Sequence, residues 1–210
     1  MQSIETTVMP GAGRKPVPSE LPLHDLIRER WSPRAFSTRP VLESDIDLLI
    51  EAARWAPSSM NEQPWAIVIA NLDTDPEGHA RILSTLVPAN VAWAQRAPVL
   101  AIAVARTGFL RNGRANKHAW YDTGQAMSQL SMQGTALGLV IHQMGGFDAD
   151  KAREVLAIPE GFEPVAAMAI GYPGDGSDLT EELRQREFAP RTRRPSSEWA
   201  FAGKWGAPRK

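Results

Sequence analysis

Pro98-Val-Leu-Ala-Ile-Ala-Val-Ala105 is a run of eight residues without one polar side chain. A short apolar run of this kind is the pattern of a strand buried on both faces. Trp65-Ala-Ile-Val-Ile-Ala70 repeats the pattern, and the two read as central strands. Between them, residues 77–86 and 90–95 have helical spacing, and after them Trp120 to Leu137 forms a long helical stretch closed by Gly138. Leu139 to Gln143 and Pro164 to Tyr172 supply two further strands around a short helix, Asp148 to Leu156. Upstream, Leu23, Leu26, Ile27 and Trp31 predict a helix from Leu23 to Arg30, stopped before Pro33. Ser44 and Asp47 resemble a capping box for a second helix, whose apolar stripe of Ile46, Leu49, Ile50 and Ala53 ends near Trp55. The order ααβααβαβαβ places helices on both faces of one sheet, so an α/β sandwich is expected.

The 210 residues, 43% of them apolar, suit one compact domain. Residues 1–20, rich in Pro, Gly and polar groups, read as a flexible arm or a strap, with the folded domain spanning 21–210. Its last part, 173–210, is rich in Pro and Arg with little core pattern, and so long a tail suggests that it wraps something, a second subunit included. A net charge of −1, from 23 basic and 24 acidic residues, offers no electrostatic reason to expect nucleic acid or an anionic membrane as partner. The absence of cysteine excludes thiol chemistry and disulfides and fits a reducing, cytoplasmic setting. Four scattered histidines without paired spacing argue against a metal site. Gly-x-Ser-x-Gly elbows, Walker loops and strand-linked Gly-x-Gly-x-x-Gly motifs are missing too.

Four stretches could carry chemistry. Pro57-Ser-Ser-Met-Asn-Glu-Gln-Pro-Trp65 crowds polar side chains between two prolines that stiffen its ends. An ordinary helix-to-strand connection explains that composition equally well. Arg30-Trp-Ser32-Pro-Arg34-Ala-Phe36 sets two guanidinium groups and a hydroxyl at a helix exit, a set able to grip a phosphate or simply to compensate a helix dipole. A second basic cluster, Arg191-Thr-Arg193-Arg194, lies far along the tail and reads equally as a solvated charge run. Gln143-Met144-Gly145-Gly146-Phe147 follows a strand, where paired glycines permit either a close backbone approach to a flat ligand or, more simply, a turn with positive φ. In the long helix, Asp122 reads as a helix-facing polar residue and Gly124 as a close-packing glycine.

Taken together, these segments resemble the nitroreductase family of FMN-dependent NAD(P)H oxidoreductases, from about Leu23 to Glu198. Arg30-x-Ser32-x-Arg34-x-Phe36 is similar to the family's Arg-x-Ser-x-Arg/Lys-x-Phe signature. Pro57-Ser58-Ser59-x-Asn61-x-Gln63-Pro64-Trp65 resembles its Pro-Ser-x-x-Asn-x-Gln-Pro-Trp loop. Asn90-x-x-Trp93 looks like the segment that reaches the flavin's polar edge, and Met144-Gly145-Gly146-Phe147 like the turn that faces its ring. Arg193 stands in the place of a tail cation that closes on the phosphate, with Arg191 and Arg194 as rivals. The resemblance implies a three-layer sandwich around a mixed sheet, its tail embracing a partner, and a homodimer with FMN at the subunit interface. Arg30, Ser32, Arg34 and Arg193 of one chain would hold the phosphate, and Pro57 to Gln63 of the other would border the flavin. It further implies no catalytic side chain, with the Gly145 and Gly146 backbone near flavin N5, and hydride transfer from NAD(P)H through FMN to a nitroaromatic, a quinone or a similar electrophile. A flavin carrier or sensor without turnover, or a branch using reduced FMN for oxygen-dependent or dehalogenating chemistry, would carry the same motifs.

Overall fold

A computed structural model describes residues 15–209. Its strands are β1 (Trp65–Asn71), β2 (Val99–Arg106), β3 (Val140–Met144) and β4 (Phe162–Gly171). Around them lie α1 (Asp25–Glu29), α2 (Glu43–Arg54), α3 (Pro76–Leu83), α4 (Pro88–Ala94), α5 (Ala119–Ala136), α6 (Ala149–Val155) and α7 (Glu181–Phe188). The strands form one sheet in the order β1-β2-β4-β3. The alternation of side chains along β2 makes the layers: Leu100, Ile102 and Val104 join Ile82 of α3 and Trp93 of α4, whereas Val99, Ala101 and Ala103 join Leu49 of α2 and Leu130 of α5. Helices therefore cover both faces, as the run from Pro98 to Ala105 required.

Two details of the sheet differ from expectation. All three pairings are antiparallel, so the sheet is not mixed between neighbours. The reason lies in the connection: α3 and α4 leave and return at the same end, with Asn71 opposite Val99. β1 is also an edge strand rather than a central one, and its Ala66 is exposed while Ile67, Val68 and Ile69 are half-buried. The start of α2 differs too. Leu42, not Ser44, precedes it without a side-chain cap, and the helix is anchored instead by Glu43, which accepts hydrogen bonds from Asn71 Nδ2 at 2.9 Å and Thr74 Oγ1 at 2.8 Å.

The first part of the tail packs on its own domain through α7, where Leu179 and Leu183 rest on the core and Glu187 accepts the N–H groups of Arg34 and Ala35. Residues 15–19 do likewise, Val17 N–H donating to the Arg28 carbonyl at 2.8 Å and Arg28 Nη1 to the Ser19 carbonyl at 3.2 Å. This part of the expected flexible arm is thus pinned to α1, and residues 1–14 lie outside the described residues. No helix among the described residues is long and apolar enough to cross a membrane.

Candidate functional site

The exit of α1 and the tail meet in a pocket of about 180 Å³ lined by Lys15, Arg30, Trp31, Ser32, Arg34, Arg186, Glu187, Arg191 and Arg193. Glu187 is its floor. The side chain is 1% exposed, and it accepts Arg34 N–H at 2.8 and 3.0 Å and Ala35 N–H at 3.1 Å while the Arg34 guanidinium lies 3.7 Å away. Arg30 Nη1 donates to Ser32 Oγ at 3.1 Å, and Arg191 Nη1 to the Lys15 carbonyl at 2.7 Å, which ties the strap, the tail and the α1 exit together.

Six cationic side chains against one buried carboxylate leave this pocket short of negative charge. Burial, and then the nearby Arg193, pull the Arg30 guanidinium below its ordinary range. Burial and then Arg186 do the same to Arg34, with Glu187 opposing. Arg191 is lowered by burial and then by Arg30 and Arg193, with Glu29 opposing. Guanidinium groups pressed together in this way are relieved by a bound anion. The volume falls below the roughly 300–1,000 Å³ of a site that encloses an organic ligand. It suits the charged end of a cofactor whose remainder lies outside.

Beneath the pocket, His142 of β3 gives its Nδ1 hydrogen to the Pro33 carbonyl at 2.8 Å and packs on Trp93 at 4.6 Å between centroids. Burial brings its pKa down to about 4, so it is a neutral tether rather than a further cation. Trp93 also stacks with Phe36 at 6.3 Å. One helical turn earlier, Asn90 Nδ2 donates to the Gly146 carbonyl at 2.9 Å. Residues three apart share a helix face. One side of α4 therefore positions both the arginine segment and the Met144-Gly145-Gly146 turn. Neither glycine has a positive φ, so the turn explanation for the pair does not hold. A Cβ at Gly146 would lie 2.6 Å from Asn90 Nδ2 and 3.0 Å from Val87 Cγ2, so a side chain there would displace the amide that holds the turn. Gly145 is exposed, and a Cβ there would meet nothing within 4 Å.

The loop from Pro57 to Pro64 is built differently. Met60, Asn61 and Gln63 hold φ of 57°, 55° and 47°, the left-handed region that costs a residue other than glycine or asparagine about 1–2 kcal/mol. The loop is kept there by Ser58 Oγ, which accepts Gln63 N–H at 3.0 Å, and by buried Asp122 of α5, which accepts Ser59 N–H at 3.0 Å. Gln63 Nε2 donates to the Asn61 carbonyl at 3.1 Å. Glu62 pairs with Arg106 at 3.2 Å. Pro57, Met60, Asn61 and Gln63 remain exposed. Strain of this kind persists where the surroundings over-determine it, and it concentrates at ligand sites.

The nitroreductase family model matches residues 27–172. The chain belongs to the nitroreductase family. Among curated relatives, a putative NADH dehydrogenase/NAD(P)H nitroreductase of Archaeoglobus fulgidus is 27% identical, over 74% of this chain and 88% of its own. The FMN reductase [NAD(P)H] of Bacillus subtilis is 24% identical, over 76% and 69%. A solved oxidoreductase containing FMN is 35% identical and superposes over 95% of this chain and 100% of its own, with a TM-score of 0.85.

Within this nitroreductase fold, the residues singled out from the sequence fall into two groups. Arg30, Ser32, Arg34 and Arg193 meet in the pocket, with Arg191 beside them and Arg194 outside its lining. Asn90, Met144, Gly145 and Gly146 stand next to them through α4 and β3. Pro57, Ser58, Ser59, Asn61 and Gln63 precede β1, across the sheet from β3 by three strand spacings, about 14 Å. One chain does not bring the two groups together. Sequence reasoning missed Lys15, Arg186, Glu187 and His142. Glu187 sits in Glu181–Phe188, a helix with scant apolar content, and nothing in that composition marks a carboxylate for burial. His142 did carry a signal, as a titratable residue that follows three apolar ones in a predicted strand. Gly124 is exposed with no atom within 4 Å of a built Cβ, so it is not close-packed within the chain, and Gly134 has that role, 2.8 Å from Ile141 Cδ1.

Proposed function

We propose that this protein is an FMN-dependent oxidoreductase that draws electrons from NAD(P)H and delivers them to a small electrophile such as a nitroaromatic or a quinone. It would work as a homodimer whose two flavin sites each use both chains. The observation that carries the reading is the convergence of Arg30, Ser32, Arg34 and Arg193 on one anion-deficient pocket, in a chain whose family model covers residues 27–172. That pocket fits a phosphate monoester in charge and in size. The placement of the Pro57–Pro64 loop before β1, at the sheet edge opposite β3, supports the second half of the proposal, since a loop strained into shape yet facing solvent has its partner elsewhere.

Bound FMN would supply the redox chemistry, and the protein would supply binding, orientation and electrostatics. Arg30, Arg34 and Arg193 would hold the phosphate, with Ser32 Oγ as a further donor and Glu187 fixing the backbone that presents Arg34. The bare backbone at Gly145 would let a ring approach where any side chain would intervene. Ser58, Ser59, Asn61 and Gln63 of the other chain would offer amide and hydroxyl donors to the polar edge, and donors placed there favour the reduced, anionic form. The test is the visible spectrum of the purified protein, before and after NADH or NADPH is added without oxygen. A yellow protein that bleaches with a nicotinamide and recovers with a quinone is expected. A colourless protein with no affinity for added FMN would contradict the proposal, and a yellow one that neither donor bleaches would confine it to flavin binding.

A further inference from the structure

Between β2 and α5 the chain forms a small hairpin that the reading above leaves without a role. Gly108 pairs with Ala115, Phe109 N–H donates to the Arg114 carbonyl at 2.8 Å, and Gly113 turns the tip with φ of 68°. Its base is secured by Thr107 N–H to the Gly161 carbonyl at 2.8 Å and Asn116 N–H to the Thr107 carbonyl at 2.7 Å. The hairpin is fastened to the Pro57–Pro64 loop as well. Arg106 Nη2 donates to the Glu62 carbonyl at 3.0 Å, Arg106 Nη1 to the Gly108 carbonyl at 3.0 Å, and the Glu62 carboxylate accepts Leu110 N–H. Whatever the loop borders, the hairpin stands beside it.

The charge of this hairpin is one-sided. From Thr107 to Tyr121 there is no Asp or Glu, while Arg111, Arg114 and Lys117 are all exposed. No ion pair joins any of the three to a carboxylate among the described residues. Glu62 is committed to Arg106 and Leu110 N–H and acts on Arg111 only at longer range, while the Arg111 guanidinium rests 5.3 Å over the Phe109 ring. Arg106 is spent on the same contacts. The arginine pocket lies on the β3 side of the sheet, so the hairpin cations are a separate positive feature rather than part of that cradle.

We propose that Arg111, Arg114 and Lys117 form a second anion site, which receives the 2′-phosphate of the nicotinamide donor and makes the protein select NADPH over NADH. The inference rests on the oxidoreductase reading for its ligand and on the hairpin geometry for its place. A 2′-phosphate is a dianion, and two guanidinium forks with an ammonium group match its geometry and charge. NADH presents only a neutral hydroxyl at that position. Because the three side chains are solvated, their preference weakens with ionic strength, as the Debye length shrinks from about 10 Å at 0.1 M to about 3 Å at 1 M.

The test is calorimetric titration of the FMN-loaded protein with 2′,5′-ADP and with 5′-AMP, alongside steady-state kinetics with NADPH and NADH. The wild type is expected to bind 2′,5′-ADP at least about ten-fold more tightly, the scale of one charge-assisted phosphate contact. The triple variant Arg111→Ala, Arg114→Ala, Lys117→Ala should bring the two ligands to parity, raise KM for NADPH with little change in kcat, and leave NADH kinetics and flavin content as they were. Equal binding of both ligands by the wild type, or a preference that survives the triple substitution, would overturn the inference. Binding of 2′,5′-ADP that the triple variant abolishes, in a protein that oxidises neither nucleotide, would uphold the anion site and count against the oxidoreductase reading instead.

Discussion

The two sides of the sheet solve different problems. On the β3 side, the arginine cradle is finished within one chain: Glu187 satisfies the backbone of Arg34 and Ala35, His142 tethers Pro33, and α4 holds the glycine turn. On the β1 side, the Pro57–Pro64 loop has three residues in the left-handed region, exposed polar groups, and exposed Trp55 and Met60 beside it. The first has an excess of positive charge over buried carboxylate, and the second has strain and exposed surface. A region whose backbone is satisfied but whose cations outnumber its carboxylates suits an anion, whereas an exposed loop that its own hydrogen bonds hold in a costly shape suits contact with another surface.

Four substitutions or conditions probe this contrast, beginning with the largest effect. Glu187→Ala removes a buried carboxylate and leaves the N–H groups of Arg34 and Ala35 without acceptors, so we expect about 3–5 kcal/mol of lost stability in urea denaturation. A loss under 1 kcal/mol would show that the cradle does not depend on its floor. The second probe is pH. His142 has its pKa lowered to about 4, chiefly by burial. Its unfolded value is near 6.5, so the unfolded chain takes up the proton first, and the stability present above pH 6.5 drains away as pH falls toward 4. The loss should approach about 3 kcal/mol, and His142→Gln should flatten that portion of the profile.

Arg34→Ala should weaken FMN by about 1.5–3 kcal/mol in a fluorescence titration. Unchanged affinity would remove Arg34 from the phosphate site. Gly145→Ala separates packing from ligand approach. A Cβ there meets no atom of the protein, so the melting temperature without FMN should stay put, while FMN affinity falls by roughly 1 kcal/mol or more from the intruding methyl. A drop in melting temperature with unaltered affinity would assign that glycine to the fold alone.

The fold was largely legible, since hydrophobic period reports burial: the run from Pro98 to Ala105 is β2, and the alternation within it sorts the two core layers. Period says nothing of strand direction or of position in the sheet, which is why an antiparallel sheet with β1 at its edge had to be seen. The end of α2 near Trp55 was readable from its stripe, but its start was not, because Glu43 is anchored by Asn71 and Thr74 from another part of the chain. In the site, Arg30, Ser32, Arg34 and the two glycines stood out by spacing. Glu187 and Lys15 did not, for their role exists only once the two ends of the domain close over the same pocket.

The claim that each flavin site takes its cradle from one chain and its loop from another can be tested directly by mixing two variants. One is Arg34→Ala, and the other is the triple Ser58→Ala, Asn61→Ala, Gln63→Ala, each weak in FMN binding alone. The two are unfolded, combined in equal amounts and refolded, and FMN binding is titrated. Random pairing should restore about a quarter of all sites to wild-type affinity, since every mixed dimer then holds one site free of both defects. Affinity no better than that of the parents, at any ratio, would contradict the shared site and place cradle and loop in service of separate functions.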